Sequence, residues 1–449
     1  MMAADQAEFT SHTQRRLLIP FIGTRPLTDL YLIVALLPLW WALGFEQFVA
    51  PVVLTLSAIK LLMARQKIRV NLTIKLLAIF IIFYLISGLF IVENQRILTF
   101  VRNLSMYYTA LLVLLIVINE VHNRQQMHRL IQCVFVAMLA AATIGAAGFL
   151  GLYRPQFTSV MASVLPDWIT ATDYGRQIAQ RTTGGVSWFF GLGSYFRTNS
   201  LFLFSTMYAA AIALALPTML YLHDNARGLT KLAFKAALLL MLVNLVFTTG
   251  RVAAIALLLG ALYWFLSTRN SLTRAIRHLA LAVVVFIAML AVPAELSLDT
   301  ALYARGSGSV VSRSVIYQNT FVGYLERPVF GWGTERDILA DNFPYPAGSH
   351  SYFLGTLYKQ GAAGFIVFLA IWWSVWRETR SLPRRVEATP EARLIRYGRW
   401  TVLTALLISI TSVLDLDATV MLILWVIFAS IMAARMIALS GANESTSAT

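Results

Sequence analysis

Six histidines occur in this chain, and five of them, His12, His122, His128, His223 and His278, sit in a basic N-terminal stretch or beside basic turns. The sixth, His350, lies in Pro346-Ala-Gly-Ser-His350-Ser-Tyr, where a long polar segment enters an apolar run. An imidazole titrates near neutrality, so beside the N-terminal amides of a helix it can take a proton from a hydroxyl as a general base. Arginines occupy comparable junctions: Arg197 before Thr198-Asn-Ser-Leu, Arg251 closing Thr248-Thr-Gly-Arg251, and Arg313 within Val311-Ser-Arg-Ser-Val. Guanidinium forks bind phosphate oxygens in a bidentate manner and stay charged at any relevant pH. One base with several forks suits transfer from an anionic phosphate leaving group. Taken singly, the histidine also reads as a helix cap or carbonyl partner, and each arginine as a side chain snorkelling to lipid phosphate.

The elements that must position these residues are apolar. The chain has 449 residues, 58% of them hydrophobic and 13% charged, with a mean hydropathy of +0.70. A soluble domain carries about 25% charged residues, so the class is membrane. About twelve near-spanning runs are expected as helices: Leu27–Leu43, Phe48–Met63, Leu72–Val92, Thr99–Ile118, Leu130–Leu150, Ser200–Leu222, Leu232–Phe247, Val252–Leu266, Leu279–Val292, Tyr352–Trp376, Trp400–Val413 and Thr419–Ile437. The expected fold is an all-α polytopic membrane protein. A cytosolic tail over 1–26 without a signal-peptide pattern precedes a single transmembrane domain over 27–437, and a disordered tail follows over 438–449.

Net charge is +15, and the positive-inside rule accounts for most of it. Alternate turns carry Arg65-Lys67-Arg69, Arg124 and Arg129, Arg227 and Lys231, Arg269-Arg274-Arg277, and the arginines from Arg377 to Arg399. That side is expected to be the cytosol and the membrane an inner membrane, and no nucleic-acid partner is needed to explain the charge. The opposite side bears two long segments, 153–199 and 293–350, which break the charge rule with Arg154, Arg176, Arg181 and Arg197 in the first and Arg305, Arg313, Arg327 and Arg336 in the second. Translocated arginines are unfavourable unless used, which raises the weight of the group above that of its members.

The remaining signals are weaker. The carboxylates of the second long segment are scattered, so a metal-free site is expected, and no cofactor motif occurs. Asp415-Leu-Asp417 reads as a solvated turn. Glu378 to Arg399 reads as a charged linker. Arg102 and Lys359 lie within apolar runs near enough to helix ends to snorkel, and rank second as functional candidates. The single cysteine, Cys133, lies within an apolar run and supports neither disulfide nor metal site. Glycines in Phe330-Gly-Trp-Gly-Thr allow close backbone approach.

The tract His350-Ser-Tyr-Phe-Leu-Gly-Thr-Leu-Tyr-Lys-Gln-Gly361-Ala-Ala-Gly364, preceded by Tyr324-Leu-Glu-Arg-Pro328-Val-Phe-Gly-Trp-Gly333, resembles the signature of the bacterial O-antigen ligase and polymerase family. Thr249-Gly-Arg251 is similar to its Ser-x-Arg element, and Arg197-Thr-Asn-Ser-Leu-Phe to the arginine element after its first outer loop. The resemblance implies a GT-C-like membrane glycosyltransferase with two long periplasmic loops. Such an enzyme takes a glycan from undecaprenyl pyrophosphate and joins it to a glycan or lipid A-core acceptor at the periplasmic face, without metal and with inversion. A chain-length regulator is a further implied partner. His350 would activate the acceptor, and Arg197 and Arg251 would hold the pyrophosphate. Arg313, Glu326, Arg327 and Tyr352 join them as expected substrate-binding residues. Lys359 stands where the family often has Glu, and Pro-Asn is missing after Arg197, so ligase and polymerase both stay open with the polymerase slightly preferred. The alternative from another class is a twelve-helix transporter of polysaccharide or lipid-linked glycan, and a second is a binder of the lipid pyrophosphate without chemistry.

Overall fold

The computed structural model describes residues 25–64, 67–188, 194–267, 315–340, 343–380, 382, 387 and 389–447. Lipid offers no partner to a free amide or carbonyl, so apolar runs close their hydrogen bonds internally as helices. In order these are α1 (Pro26–Ala35), α2 (Leu37–Leu43), α3 (Val49–Ala64), α4 (Leu72–Gly88), α5 (Asn94–Glu120) and α6 (Arg124–Phe149). After the first long segment come α9 (Ser205–Asn225), α10 (Gly228–Phe247) and α11 (Arg251–Ser267). The second segment leads through a helix over 315–326, α12, to α13 (Tyr352–Glu378), α14 (Pro390–Thr411) and α15 (Ala418–Ser447).

The apolar runs named above each coincide with one of these helices, except that Leu27–Leu43 is divided between α1 and α2 and that Leu279–Val292 lies outside the described residues, as do the N-terminal residues 1–24. Among the described residues, 6 helices are long and apolar enough to cross a membrane, and α1 with α2 makes a seventh if the pair, bent by 67°, is one span. Pro38 lies in the first turn of α2, where proline is tolerated at a helix start but cannot continue the helix before it. Helices α3, α4 and α11 are apolar but shorter.

The described residues are mostly helical, consistent with the expected all-α polytopic membrane fold, and among them the long segments also hold three two-stranded antiparallel sheets. In the first, β1 (Gln156–Thr158) pairs with β2 (Gln180–Thr182) around two short helices, α7 (Asp167–Thr170) and α8 (Asp173–Ala179). The hairpin of β3 (Gly184–Trp188) and β4 (Ser194–Thr198) follows, and in the second segment β5 (Arg336–Ala340) pairs with β6 (Phe343–Ala347). Arg181 of β2 reaches Glu46 in the turn between α2 and α3 at 2.7 Å, both side chains being 2% exposed. Two expectations are corrected. The linker Glu378 to Arg399 is half helix, because Thr389 caps Ala392 and Pro390 opens α14. The tail beyond 437 is helical to Ser447.

The turns joining α5 to α6, α9 to α10 and α13 to α14 share one end of the bundle. There Tyr397 donates to Asp224 at 2.7 Å, Arg399 donates to the Thr379 carbonyl and Arg435 meets Glu378 at 3.5 Å. Both long segments lie at the other end.

One helix breaks at that other end. Gly361 within α13 has φ 66° and ψ −172°, which separates a short arm, Tyr352 to Gln360, from the rest. The break releases backbone groups, and the segment after α12 takes them up. The amides of Trp332 and Gly333 donate to the carbonyls of Tyr358 and Lys359 at 3.0 and 2.8 Å, while Ala362 and Ala363 donate to Pro328 and Val329 at 2.7 and 3.2 Å. Arg96 of α5 holds the same segment through the carbonyls of Trp332, Thr334 and Glu335 at 2.7, 2.9 and 3.0 Å. Gly361 is the residue on which this depends, since a Cβ there would come within 2.3 Å of the Val329 carbonyl. Gly361→Ala is therefore expected to destabilise the protein by about 2–4 kcal/mol, from left-handed backbone strain and overpacking together. Thermal unfolding in detergent checks it, and an unchanged midpoint would show that the junction is not tight.

Candidate active site

Three short segments at this end present the residues picked out by the sequence. In the first, β4 carries Arg197 as its penultimate residue, whose Nε donates to the carbonyl of Thr248 at 2.8 Å. The chain then turns at Ser200, φ 50°, whose hydroxyl donates to the Ala141 carbonyl at 2.6 Å. The second is the turn between α10 and α11. Thr249, φ 52°, shares a hydroxyl hydrogen bond of 3.0 Å with Tyr195, and Arg251, exposed, follows at once as the first residue of α11. In the third, β6 runs through Gly348 into His350, φ 63°, and Ser351 caps the short arm of α13 by accepting from the Leu354 amide. His350 is exposed, and its carbonyl accepts from Tyr317 of α12 at 3.1 Å.

A side chain with a Cβ pays about 1–2 kcal/mol to sit in the left-handed region. Among the described residues, three that are not glycine do so: Ser200, Thr249 and His350. One falls in each segment, beside Arg197, beside Arg251 and at the histidine itself. Local strain of this kind persists only where surrounding contacts over-determine it, and such residues cluster at functional sites.

Arg197 and the Arg251 turn are joined directly through Thr248. The histidine segment meets them through the turn between α14 and α15: Tyr352 donates its amide to the Ser412 carbonyl at 3.2 Å, and Leu203, downstream of Arg197, donates to Asp417 at 2.9 Å. The other expected residues fare differently. Arg313 lies outside the described residues. Glu326 is exposed at the end of α12, and Arg327 stacks 4.1 Å from the ring of Trp332 while bonding the Phe90 carbonyl. Tyr352 is 2% exposed, with its ring edge-on to Phe368 and its hydroxyl 3.9 Å from the sulfur of Met421, so it packs the bundle interior.

Sequence reasoning placed the carboxylates wrongly. Asp415 and Asp417 are each 1% exposed rather than solvated. Lys359, also 1% exposed, does not snorkel; it pairs with Asp415 at 3.1 Å and Glu335 at 3.2 Å. Burial opposes ionisation of Glu335, but the charges of Lys359 and Arg102 hold its carboxyl below the usual range. Burial pushes the Asp417 carboxyl up, against hydrogen bonds from the Leu203 and Thr419 amides. Arg102 is half-buried and its guanidinium lies 4.8 Å from the ring of Tyr174 in the first long segment. The signal for this cluster was the lysine itself, since a cation within an apolar run requires a partner. Among the described residues no three histidine, cysteine or carboxylate side chains form a metal-ligand set.

Residues 236–369 match the O-antigen ligase family. The match takes in Arg251, the segment that fills the break in α13, and His350, whereas Arg197 lies outside it. It supports the resemblance carried by the motifs, and with it an O-antigen ligase or polymerase type of function: a glycosyltransferase-like enzyme of polysaccharide biosynthesis in the membrane, with a lipid-linked glycan donor and a glycan acceptor. No curated protein matches the chain.

The buried position of Tyr352 yields a test. Tyr352→Phe keeps the ring and loses only the hydroxyl, so glycan transfer is expected within about twofold of wild type, whereas Tyr352→Ala opens a cavity costing about 3–5 kcal/mol. A large selective loss of transfer in the phenylalanine variant, with abundance intact, would support the substrate-binding role expected from the sequence.

Proposed function

We propose that the protein transfers a glycan from undecaprenyl pyrophosphate to a sugar hydroxyl at the periplasmic face of the inner membrane, as a surface-polysaccharide polymerase or O-antigen ligase. The observation that carries this reading is the set of three strained residues, Ser200, Thr249 and His350, each within a few positions of a residue suited to the chemistry. Charge supports this facing: the basic turns joining α5 to α6, α9 to α10 and α13 to α14 lie at the opposite end of the bundle, which the positive-inside rule assigns to the cytosol.

In the proposed step the acceptor hydroxyl oxygen forms a bond to the anomeric carbon, and the bond from that carbon to the phosphate oxygen breaks. The electron pair leaves with the diphosphate, and the hydroxyl proton passes to the imidazole of His350. Negative charge grows on the departing phosphate, where Arg197 and Arg251 meet it. The Nε bond of Arg197 to the Thr248 carbonyl fixes the plane of that guanidinium before the substrate arrives, so little reorganisation is needed as charge develops. Attack opposite the leaving group inverts the anomeric centre. The outer compartment has no nucleotide energy source, and the pyrophosphate ester itself supplies the drive.

Two substitutions test the roles. His350→Ala is expected to lower transfer by about 100-fold or more without reducing membrane abundance, the usual weight of a general base. Near-wild-type surface glycan in that strain would remove the assignment. Arg251→Lys keeps the charge but not the fork and is expected to lose about tenfold or more; a fully active lysine variant would sink the bidentate claim. Glycan analysis of a deletion strain separates the two forms of the activity: single repeat units mean polymerase, and long chains left on the carrier mean ligase.

A further inference from the structure

The proposed chemistry makes no use of the ionisable groups buried between the three segments, yet their connections are specific. The ammonium of Lys359 lies 3.1 Å from Oδ2 of Asp415, and the same oxygen accepts from the Tyr107 hydroxyl at 3.0 Å. Two residues on, Asp417 accepts from the amides of Leu203 at 2.9 Å and Thr419 at 2.8 Å. One turn therefore grips two separate stretches of chain. Lys359 closes the short arm of α13 that begins just after His350, and Leu203 closes the turn that follows Arg197.

Buried ion pairs add little net stability over apolar packing of the same volume, because desolvation offsets their attraction. What they supply is geometry. Two helices packed through aliphatic side chains can shift by a fraction of a turn at small cost, whereas a charge pair with a hydroxyl donor on the same oxygen has one favourable arrangement. The pairing is also two-sided in kind. Asp415 holds the histidine arm by a side-chain cation, and Asp417 holds the arginine segment by a backbone amide, so neither contact can substitute for the other. The arm needs such a hold, since the break at Gly361 uncouples it from the continuous part of α13.

We propose that the buried turn Asp415-Leu416-Asp417, acting with Lys359, is a clamp that sets the spacing between His350 and Arg197. The inference rests on the reading of His350 as base and Arg197 as pyrophosphate ligand. Lys359, Asp415 and Asp417 are positioning residues in it, and none of them touches the reacting atoms.

The test uses the full-length protein in lipid nanodiscs, with an undecaprenyl-pyrophosphate-linked glycan as donor, and reads transfer kinetics together with amide hydrogen exchange. The double variant Lys359→Met with Asp415→Asn removes the charges of that pair at nearly constant volume and leaves Tyr107 an acceptor; Glu335, the second carboxylate bonded to Lys359, loses its cation in this variant, and Glu335→Gln alone is the control for that loss. Its kcat is expected to fall about 10- to 100-fold with donor KM within about twofold, the signature of a misplaced base. Exchange should quicken over residues 352–360 and stay unchanged at the opposite end of the bundle. Asp417→Asn acts on the other side and is expected to raise donor KM by about fivefold with faster exchange over 199–204; this variant decides if the double variant does not fold. Wild-type kcat in the double variant overturns the proposal, and so does a loss of transfer with exchange over 352–360 unaltered. Should His350→Ala prove active, the base assignment falls while the exchange result on the clamp still stands.

Discussion

A helix can break at membrane depth only where other protein groups accept the hydrogen bonds that the break releases. That requirement organises one end of this protein. Gly361 interrupts α13, and the segment from Pro328 to Gly333 lies against the interruption with four backbone hydrogen bonds, two given and two received. Residues far apart in the chain are thereby locked into one unit. Arg96 fastens the segment to α5, the hairpin of β5 and β6 returns the chain to the start of the arm, and His350 is delivered at its tip. The same junction explains Gly331 of Phe330-Gly-Trp-Gly-Thr, which adopts φ 68° and where a Cβ would collide with the backbone at Tyr358 and Gly361.

Polarity is divided between the two ends of the bundle in a way that separates anchoring from chemistry. At one end arginines meet carbonyls and carboxylates of neighbouring turns in ordinary interfacial fashion. At the other, cations are buried with chosen partners: Arg181 with Glu46, Lys359 with Asp415 and Glu335. Burial of charge is expensive, and its concentration here, next to strained backbone, is the pattern expected where a membrane protein prepares a polar site in an apolar medium.

Much of this was legible in the residues. The helices were, because long apolar runs have few alternatives in lipid. The placing of Arg197, Arg251 and His350 at chain junctions was, because each violates a charge or hydropathy expectation there. The carboxylates were not: Asp415 and Lys359 are 56 positions apart, and only folding brings them together, so a lone Asp-Leu-Asp between helices looks the same whether solvated or buried. Strands of three to five residues in the long segments fall below the length at which alternation is readable. The start of α14 was hidden by its charge, although Thr389-Pro390 carries the cap and first-turn proline that mark a helix entry.

The pairing of Arg181 with Glu46 bears on how a bulky lipid-borne molecule could enter. Removing one partner of such a buried pair would leave the other charge uncompensated, at a cost of about 3–5 kcal/mol. The pair therefore bolts β2 of the first long segment to the turn between α2 and α3, and entry beside β2 would require breaking that bolt.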